Sequence, residues 1–309
     1  MTRRAILKML LTFLMIWSPA PQSVWAQSGR STNNGEKSAL LNLIIHNTKS
    51  NEIGNFSKDQ LALYDGGIEQ EIDYLRADPT GARIIVLIDI SQTLRTEKIQ
   101  LQKSLETFIQ ALQQDDQMMI IGFNEQAEIL VDFTSDNKTL NSGANQLKHE
   151  GYPKLYDALS ATVEDAFRKQ LGVNKRAIIL ISDGYDRDSK IKYENILAML
   201  LNENIIVYGI QIPDRTFGAI RARNTGPKPT DALTNIVELT GGVLFKLDKL
   251  DELTIHAQEM INEIHNNWYT LAYLPKGVNF INSRRLLIVS PNADLKLRTK
   301  KLQPAQSHP

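Results

Sequence analysis

The chain has 309 residues, 42% of which are hydrophobic, and it carries 35 basic and 35 acidic residues. This composition excludes a disordered chain, and the charge balance gives no support to nucleic-acid binding. Cysteine is absent, which excludes disulfides, thiolate metal sites, a cysteine nucleophile and lipid attachment through an N-terminal Cys. Stability must therefore come from an ordinary hydrophobic core.

Residues 1–26 have the layout of a secretory signal peptide. A basic start, TRRAILK, is followed by an apolar centre at 9–17 and by VWA at 24–26. The apolar centre is too short to span a bilayer. We therefore expect cleavage after Ala26, export to the periplasm or the exterior, and no stable membrane anchor afterwards. TRRAILK also resembles a twin-arginine signal, although Ile6 stands where Phe is preferred, so both export routes stay open.

The next two segments predict a polar lead-in and a β flank. Residues 27–37, QSGRSTNNGEK, are polar and predict a flexible N-terminus of the mature chain. Over 38–78 the strand-like runs LLNLIIHN and QLALYDGGIEQEIDYL follow. Gly66 and Gly67 lie between alternating apolar residues, and glycine allows the positive φ of a tight hairpin turn. The flank should therefore contain a hairpin.

Residues 81–265 predict an α/β domain. Apolar strand-like runs alternate with amphipathic helical segments, and the runs read ARIIVLID, MMIIGF, RAIILISD, IIVYGIQI and VLFKL. This alternation favours a doubly wound, mostly parallel sheet with helices on both faces. The hairpin MMIIGFNEQAEILVDF should add one antiparallel edge strand.

After the α/β region the pattern returns to short strands. WYTLAYLP, RRLLIVSP and LKLRTKKLQP occupy most of 267–302, and 303–309 form a tail. These strands need partners, and the nearest unpaired strands precede residue 78. We therefore expect the two flanks to form a small β-sandwich, with the α/β domain inserted between them.

The stretch VLIDISQT, at 86–93, places Asp89, Ser91 and Thr93 at the end of a strand buried on both faces. In α/β sheets the carboxyl ends of parallel strands line the ligand crevice. Oxygens at alternate positions suit a hard cation. Serine and threonine also cap helices, and a helix is predicted just afterwards. Taken alone, the stretch is compatible with either role.

A second buried strand, RAIILISDGYD, ends on Ser182, Asp183 and Gly184. Two neighbouring parallel strands would deliver Asp89 and Asp183 to the same sheet edge, and Gly184 allows a sharp turn after the carboxylate. This coincidence favours a shared divalent cation, with Mg²⁺ as the first candidate.

These residues resemble the von Willebrand factor type A domain. Its metal-ion-dependent adhesion site uses Asp-x-Ser-x-Ser, a distant Thr and a distant Asp. Asp89, Ser91 and Thr93 match the first motif, with Thr for the last Ser, and Asp183 matches the distant Asp. The flanks FSKDQLALYDGGIEQEIDYL and WYTLAYLP, with LYDAL at 155–159, resemble bacterial secreted VWFA-related proteins. The resemblance implies a non-enzymatic module that binds another protein, whose Asp or Glu completes the coordination of the cation.

One position departs from that family pattern. The distant Thr normally precedes LYDAL, but this chain reads GYPKLYDAL and has Pro153 there. Proline has neither a hydroxyl nor a backbone N–H. Two outcomes stay open: a weakened but working cation site, or an inactive site in a structural scaffold.

A third hypothesis is a metal-dependent phosphohydrolase, because VLIDISQT also resembles the DxDxT start of haloacid-dehalogenase-type enzymes. The second Asp of that motif is replaced by Ser91, which removes the usual general acid, and no partner lysine is evident. Nearby, Asp186 and Asp188 are expected to be solvated, as acidic loop residues usually are.

Overall fold

The computed structural model describes residues 38–49, 56–92, 98–147, 150–170, 172, 175–212, 227–247 and 252–305. The predicted leader and flexible segment at 1–37, the site candidate Thr93 and the last residues of the tail lie outside these ranges. Within them, no helix combines the length and apolar character needed to cross a membrane.

The strands and helices of the described ranges follow one another in the predicted alternation. The strands are β1 Ala39–Asn47, β2 Ala62–Asp65, β3 Ile68–Gln70, β4 Ile72–Ala77, β5 Arg83–Asp89, β6 Gln117–Phe123, β7 Ala127–Thr134, β8 Arg176–Ser182, β9 Ile206–Gln211, β10 Leu244–Lys246, β11 Trp268–Tyr273, β12 Arg284–Val289, β13 Leu295–Thr299 and β14 Leu302–Gln303. The α-helices are α1 Lys98–Ala111, α2 Asn137–Ala144, α3 Leu155–Ala161, α4 Tyr193–Asn202, α5 Pro229–Thr240 and α6 Leu253–Asn266. A π-helical segment, Thr162–Phe167, continues α3.

The central sheet has the strand order β10-β9-β8-β5-β6-β7. Neighbours from β10 to β6 run parallel, and β7 pairs antiparallel with β6 at the edge. The predicted doubly wound sheet with one antiparallel edge strand is confirmed. Strands β5 and β8 are adjacent and in register up to the pair Ile88 and Ile181, so both strands end level at the same edge.

The sheet is buried on both faces, which explains why its strands read as continuous apolar runs. Alternate residues of β5 enter opposite cores: Ile84, Val86 and Ile88 pack on one face, and Ile85 and Leu87 on the other. Neither face of β5 is left for solvent, and after Arg83 at its start the strand offers its next polar side chain at Asp89.

The two chain ends pair as two four-stranded sheets, β13-β1-β11-β4 and β14-β12-β2-β3. In the first sheet β1 lies between β11 and β13, antiparallel to both, and in the second β12 pairs with β2. The predicted hairpin joins β2 to β3, with φ of +61° at Gly66 and +84° at Gly67. The predicted β-sandwich of N- and C-terminal flanks is confirmed.

Strand β1 also joins the sandwich to the α/β region. Its residues Leu41 and Leu43 enter the sandwich core, whereas Ile44 packs with Trp268 in the core beneath the central sheet. Beside them Glu263 of α6 accepts a hydrogen bond of 2.6 Å from the Tyr208 hydroxyl. The same carboxylate pairs with His46 of β1 and Arg298 of β13. Glu263 therefore connects two strands of the sandwich to the α/β region.

Candidate functional site

Asp89 closes β5 and is completely buried. Its Oδ1 accepts a hydrogen bond from the Ser91 backbone N–H at 2.9 Å, and its Oδ2 accepts one from the Ser182 hydroxyl at 3.2 Å. Ser182 Oγ in turn accepts from the Gly184 backbone N–H at 3.0 Å. The carboxylate is therefore fixed between the ends of two parallel strands.

Asp183 follows β8 directly and is 3% exposed. Its Oδ1 accepts a hydrogen bond from the Tyr185 backbone N–H at 2.9 Å. Gly184 has φ of +85°, a left-handed conformation that glycine adopts without strain. The loop thus turns immediately after the carboxylate, as the sequence indicated.

The two carboxyl groups influence each other. Burial, and then the negative charge of Asp183, raise the pKa of Asp89 from 3.8 to about 7, although the hydrogen bonds from Ser91 and Ser182 act in the opposite direction. Placing two acidic groups in a buried site is costly unless a positive charge compensates them. A divalent cation would provide that compensation.

The oxygens at this edge suit such an ion. Asp89, Ser91 and Asp183 are all buried, and Ser91 is hydrogen-bonded to Asp89. Hard oxygen donors are what Mg²⁺ prefers. Within the described part of the chain, no three His, Cys, Asp or Glu side chains gather as a metal-binding group. A cation here would depend on Asp89, Asp183 and hydroxyl oxygens. Thr93, the remaining candidate, lies outside the described residues.

Three loops meet around the carboxylates. The Glu150 backbone N–H donates to the Ile90 carbonyl at 3.0 Å, and the Gln92 N–H donates to the Gly151 carbonyl at 3.1 Å. The buried Pro153 carbonyl accepts from the Arg187 N–H at 2.7 Å. The loop that carries Pro153 therefore contacts both the loop after β5 and the loop after β8.

Asp186 was expected to be solvated, and that prediction was wrong. It is 3% exposed and accepts hydrogen bonds from the Tyr156 backbone N–H at 3.1 Å and the Ser189 hydroxyl at 2.5 Å. Burial raises its pKa. Tyr156 lies in the first turn of α3, where backbone N–H groups have no partner within the helix, and Lys154 supplies no side-chain cap. Asp186 caps α3 from a distant loop.

Two other residues of this region were not identified from the sequence as contacts of the site. Ser182 was noted only as the neighbour of Asp183, yet it donates to Asp89; the register of β5 against β8 would have revealed this. Arg187 has its guanidinium carbon 3.7 Å from the centroid of the Tyr152 ring. No sequence spacing indicates that contact, because the two residues come from different loops.

A family match covers the part of the chain that contains these site residues. The family model described as von Willebrand factor type A domain matches residues 84–185, a range that includes Asp89, Ser91, Pro153 and Asp183. No curated protein sequence matches the chain.

Solved structures share the fold at low sequence identity. A von Willebrand factor type A protein from Catenulispora acidiphila is 11% identical, with a TM-score of 0.52 over 90% of this chain and 74% of that one. Proximal thread matrix protein 1 from the mussel byssus is 15% identical, with a TM-score of 0.50 over 65% of this chain and 49% of that one. BatB from Bacteroides thetaiotaomicron is 17% identical, with a TM-score of 0.46 over 59% and 98%. The first two likenesses concern the fold alone, and nothing is concluded from the third, whose TM-score is below 0.5.

Proposed function

We propose that this chain, whose residues 84–185 match the family model of the von Willebrand factor type A domain, is an exported, non-enzymatic module that binds another protein through the crevice above Asp89 and Asp183. Domains of this type are generally interaction modules rather than catalysts. The observation that carries the proposal is the buried, mutually repelling pair of carboxyl groups at the end of β5 and β8.

The metal site proposed for this module comprises Asp89, Ser91, Thr93 and Asp183, with Mg²⁺ as the first candidate ion. When bound, the ion would supply an open coordination position for an Asp or Glu carboxylate of the partner. The protein's own contribution is to hold the carboxylates in place. Ser182 and the backbone N–H groups of Ser91 and Tyr185 fix their orientation in advance.

The substitution at Pro153 favours a second candidate function, a structural scaffold with an inactive metal site. A proline adds no hydroxyl to the donor set, and fewer protein oxygens leave more of the ion's hydration shell in place. The phosphohydrolase hypothesis has less support, because the buried Ser91 occupies the position at which that chemistry needs a second acid.

We base the proposed division of the chain into segments on the sequence pattern. We propose a cleaved leader at 1–26, a lead-in at 27–37, flanks at 38–78 and 267–302, an α/β domain at 81–265 and a tail at 303–309. The basic and apolar layout of 1–26 supports export to the periplasm or beyond.

Calorimetric titration of the mature protein with Mg²⁺, Mn²⁺ and Ca²⁺ tests the proposal. We expect binding that is lost in Asp183→Asn, which removes one negative charge at nearly constant volume. Asp188→Asn is the matched control, because Asp188 lies in the same loop but its side chain is 78% exposed. Binding that survives in Asp183→Asn, or no binding by the wild type, would favour the scaffold function.

A further inference from the structure

Arg187 lies beside the position at which the family pattern departs. Its backbone N–H donates to the Pro153 carbonyl at 2.7 Å, so these two residues adjoin across the loops that surround the carboxylate pair. Pro153 occupies the place of the hydroxyl residue that the family uses near the cation. Pro153, which lacks the hydroxyl of the family pattern, and Arg187 are therefore neighbours at the rim of the crevice.

The Arg187 side chain is held in a defined orientation. Its guanidinium carbon lies 3.7 Å from the centroid of the Tyr152 ring, which is a stacked cation–π contact. Tyr152 directly precedes Pro153, so the aromatic platform belongs to the same loop. Stacking limits the rotamers of a long side chain and lowers the entropy that it loses when it binds a ligand.

The ion pair that the Arg187 side chain forms within the described residues is weak. This pair, to Asp188, is long at 3.8 Å, and the Asp188 side chain is 78% exposed. Exposed pairs of this kind contribute little and exchange readily. The Arg187 side chain itself is 34% exposed. A planar guanidinium presents two parallel N–H groups that match the two oxygens of a carboxylate.

We infer that Arg187, stacked on Tyr152, is a specificity-determining residue that binds a carboxylate of the partner at the rim of the crevice. The inference rests on the proposed function and narrows its partner to an acidic segment. Proline at 153 leaves the anchoring of the acidic ligand short of one hydroxyl. The arginine at the same rim offers no oxygen to an ion, but its N–H groups bond the carboxylate of the ligand directly.

The test uses glutarate as the probe and glutaramide as its uncharged counterpart, followed by NMR titration of the mature protein in Mg²⁺. We expect glutarate, and not glutaramide, to shift resonances of the loop that carries Arg187. Arg187→Gln should weaken glutarate binding roughly five- to tenfold, as the loss of one charge-assisted pair does. The glutarate affinity of Arg187→Lys should fall between those of the wild type and Arg187→Gln, because lysine keeps the charge but lacks the planar guanidinium. Lys190→Gln, an exposed lysine of the same loop, should bind as the wild type does.

Separate readouts distinguish this inference from the proposed function. Calorimetry should show unchanged Mg²⁺ binding in Arg187→Gln. If the wild type binds no Mg²⁺, the proposed function fails. The inference is then tested by titrating glutarate in EDTA, where the wild type should still bind it more tightly than Arg187→Gln does. Equal glutarate affinity in the wild type, Arg187→Gln and Arg187→Lys would overturn it, as would no glutarate binding by the wild type.

Discussion

Replacing Asp89 by Asn should stabilise the metal-free protein at alkaline pH. In the folded chain the pKa of Asp89 is about 7, against an ordinary value of 3.8. The folded state therefore binds the proton more tightly than the unfolded state, so the free energy of unfolding falls as the pH rises from 3.8 to about 7. A difference of about 3 in pKa corresponds to about 4 kcal/mol at alkaline pH, since each unit is worth about 1.4 kcal/mol.

The asparagine removes this electrostatic cost at the expense of part of the local hydrogen bonding. Its side-chain oxygen can still accept from the Ser91 N–H, but its amide nitrogen cannot accept from the Ser182 hydroxyl. Losing one such bond costs about 1 kcal/mol. At pH 8, without metal, the free energy of unfolding of Asp89→Asn should therefore exceed that of the wild type by about 3 kcal/mol.

Urea denaturation in EDTA at pH 5 and at pH 8 measures the effect. From pH 5 to pH 8 the free energy of unfolding of the wild type should fall by about 3 kcal/mol relative to that of Asp89→Asn. The carboxyl group titrates over about 2 pH units of that interval, and each unit is worth about 1.4 kcal/mol. Asp188→Asn, at an exposed position, should track the wild type at both pH values. If the difference between Asp89→Asn and the wild type did not change with pH, the raised pKa of the buried Asp89 would be refuted.

Four further outcomes are expected. Pro153→Thr should tighten Mg²⁺ binding roughly five- to tenfold by calorimetry, since it restores one ligating hydroxyl worth about 1 kcal/mol or somewhat more; unchanged affinity in both Pro153→Thr and Asp89→Ala would mean that no cation uses this site. Glu263→Ala should lower the free energy of unfolding by about 3 kcal/mol, because it leaves Arg298 without its carboxylate partner in a largely buried position. A loss below about 1 kcal/mol would show that this carboxylate contributes little to holding the sandwich on the α/β region. Removing 267–309 should cause aggregation, because β1 loses both neighbouring strands, and a cooperatively folding truncation would contradict this. Mass spectrometry of protein from an exporting host should find an N-terminus near Gln27, and an intact leader would show that cleavage does not occur.

Much of the fold could be predicted because its signals are local. Continuous apolar runs predict strands buried on both faces, and Gly66 and Gly67 predict the hairpin whose positive φ values the structure shows. The pairing of the two flanks followed from counting strands without partners. Asp89 and Asp183 could be assigned to one edge, because parallel strands present their carboxyl ends on the same side of a sheet.

The remaining contacts depend on how distant loops meet. Asp186 looked like a solvated loop residue, but α3 begins without a side-chain cap of its own, and the buried carboxylate takes that place. The stacking of Arg187 on Tyr152 likewise joins two loops whose separation in sequence carries no periodic signal. The metal-binding role of Asp89, Ser91, Thr93 and Asp183 stays a prediction that the titrations above decide.

The position of β1 dictates the order in which the chain can finish folding. Ile44 pairs with Trp268 on one side and with Arg298 on the other, so β1 cannot complete its sheet until segments more than 200 residues later in the chain have been made. Contacts of such long sequence separation form slowly, since a large loop must close before they are gained. For a chain threaded across a membrane from its N-terminus, the sandwich can close only after nearly all of it has emerged, and until then the first strand must be kept from pairing with other chains.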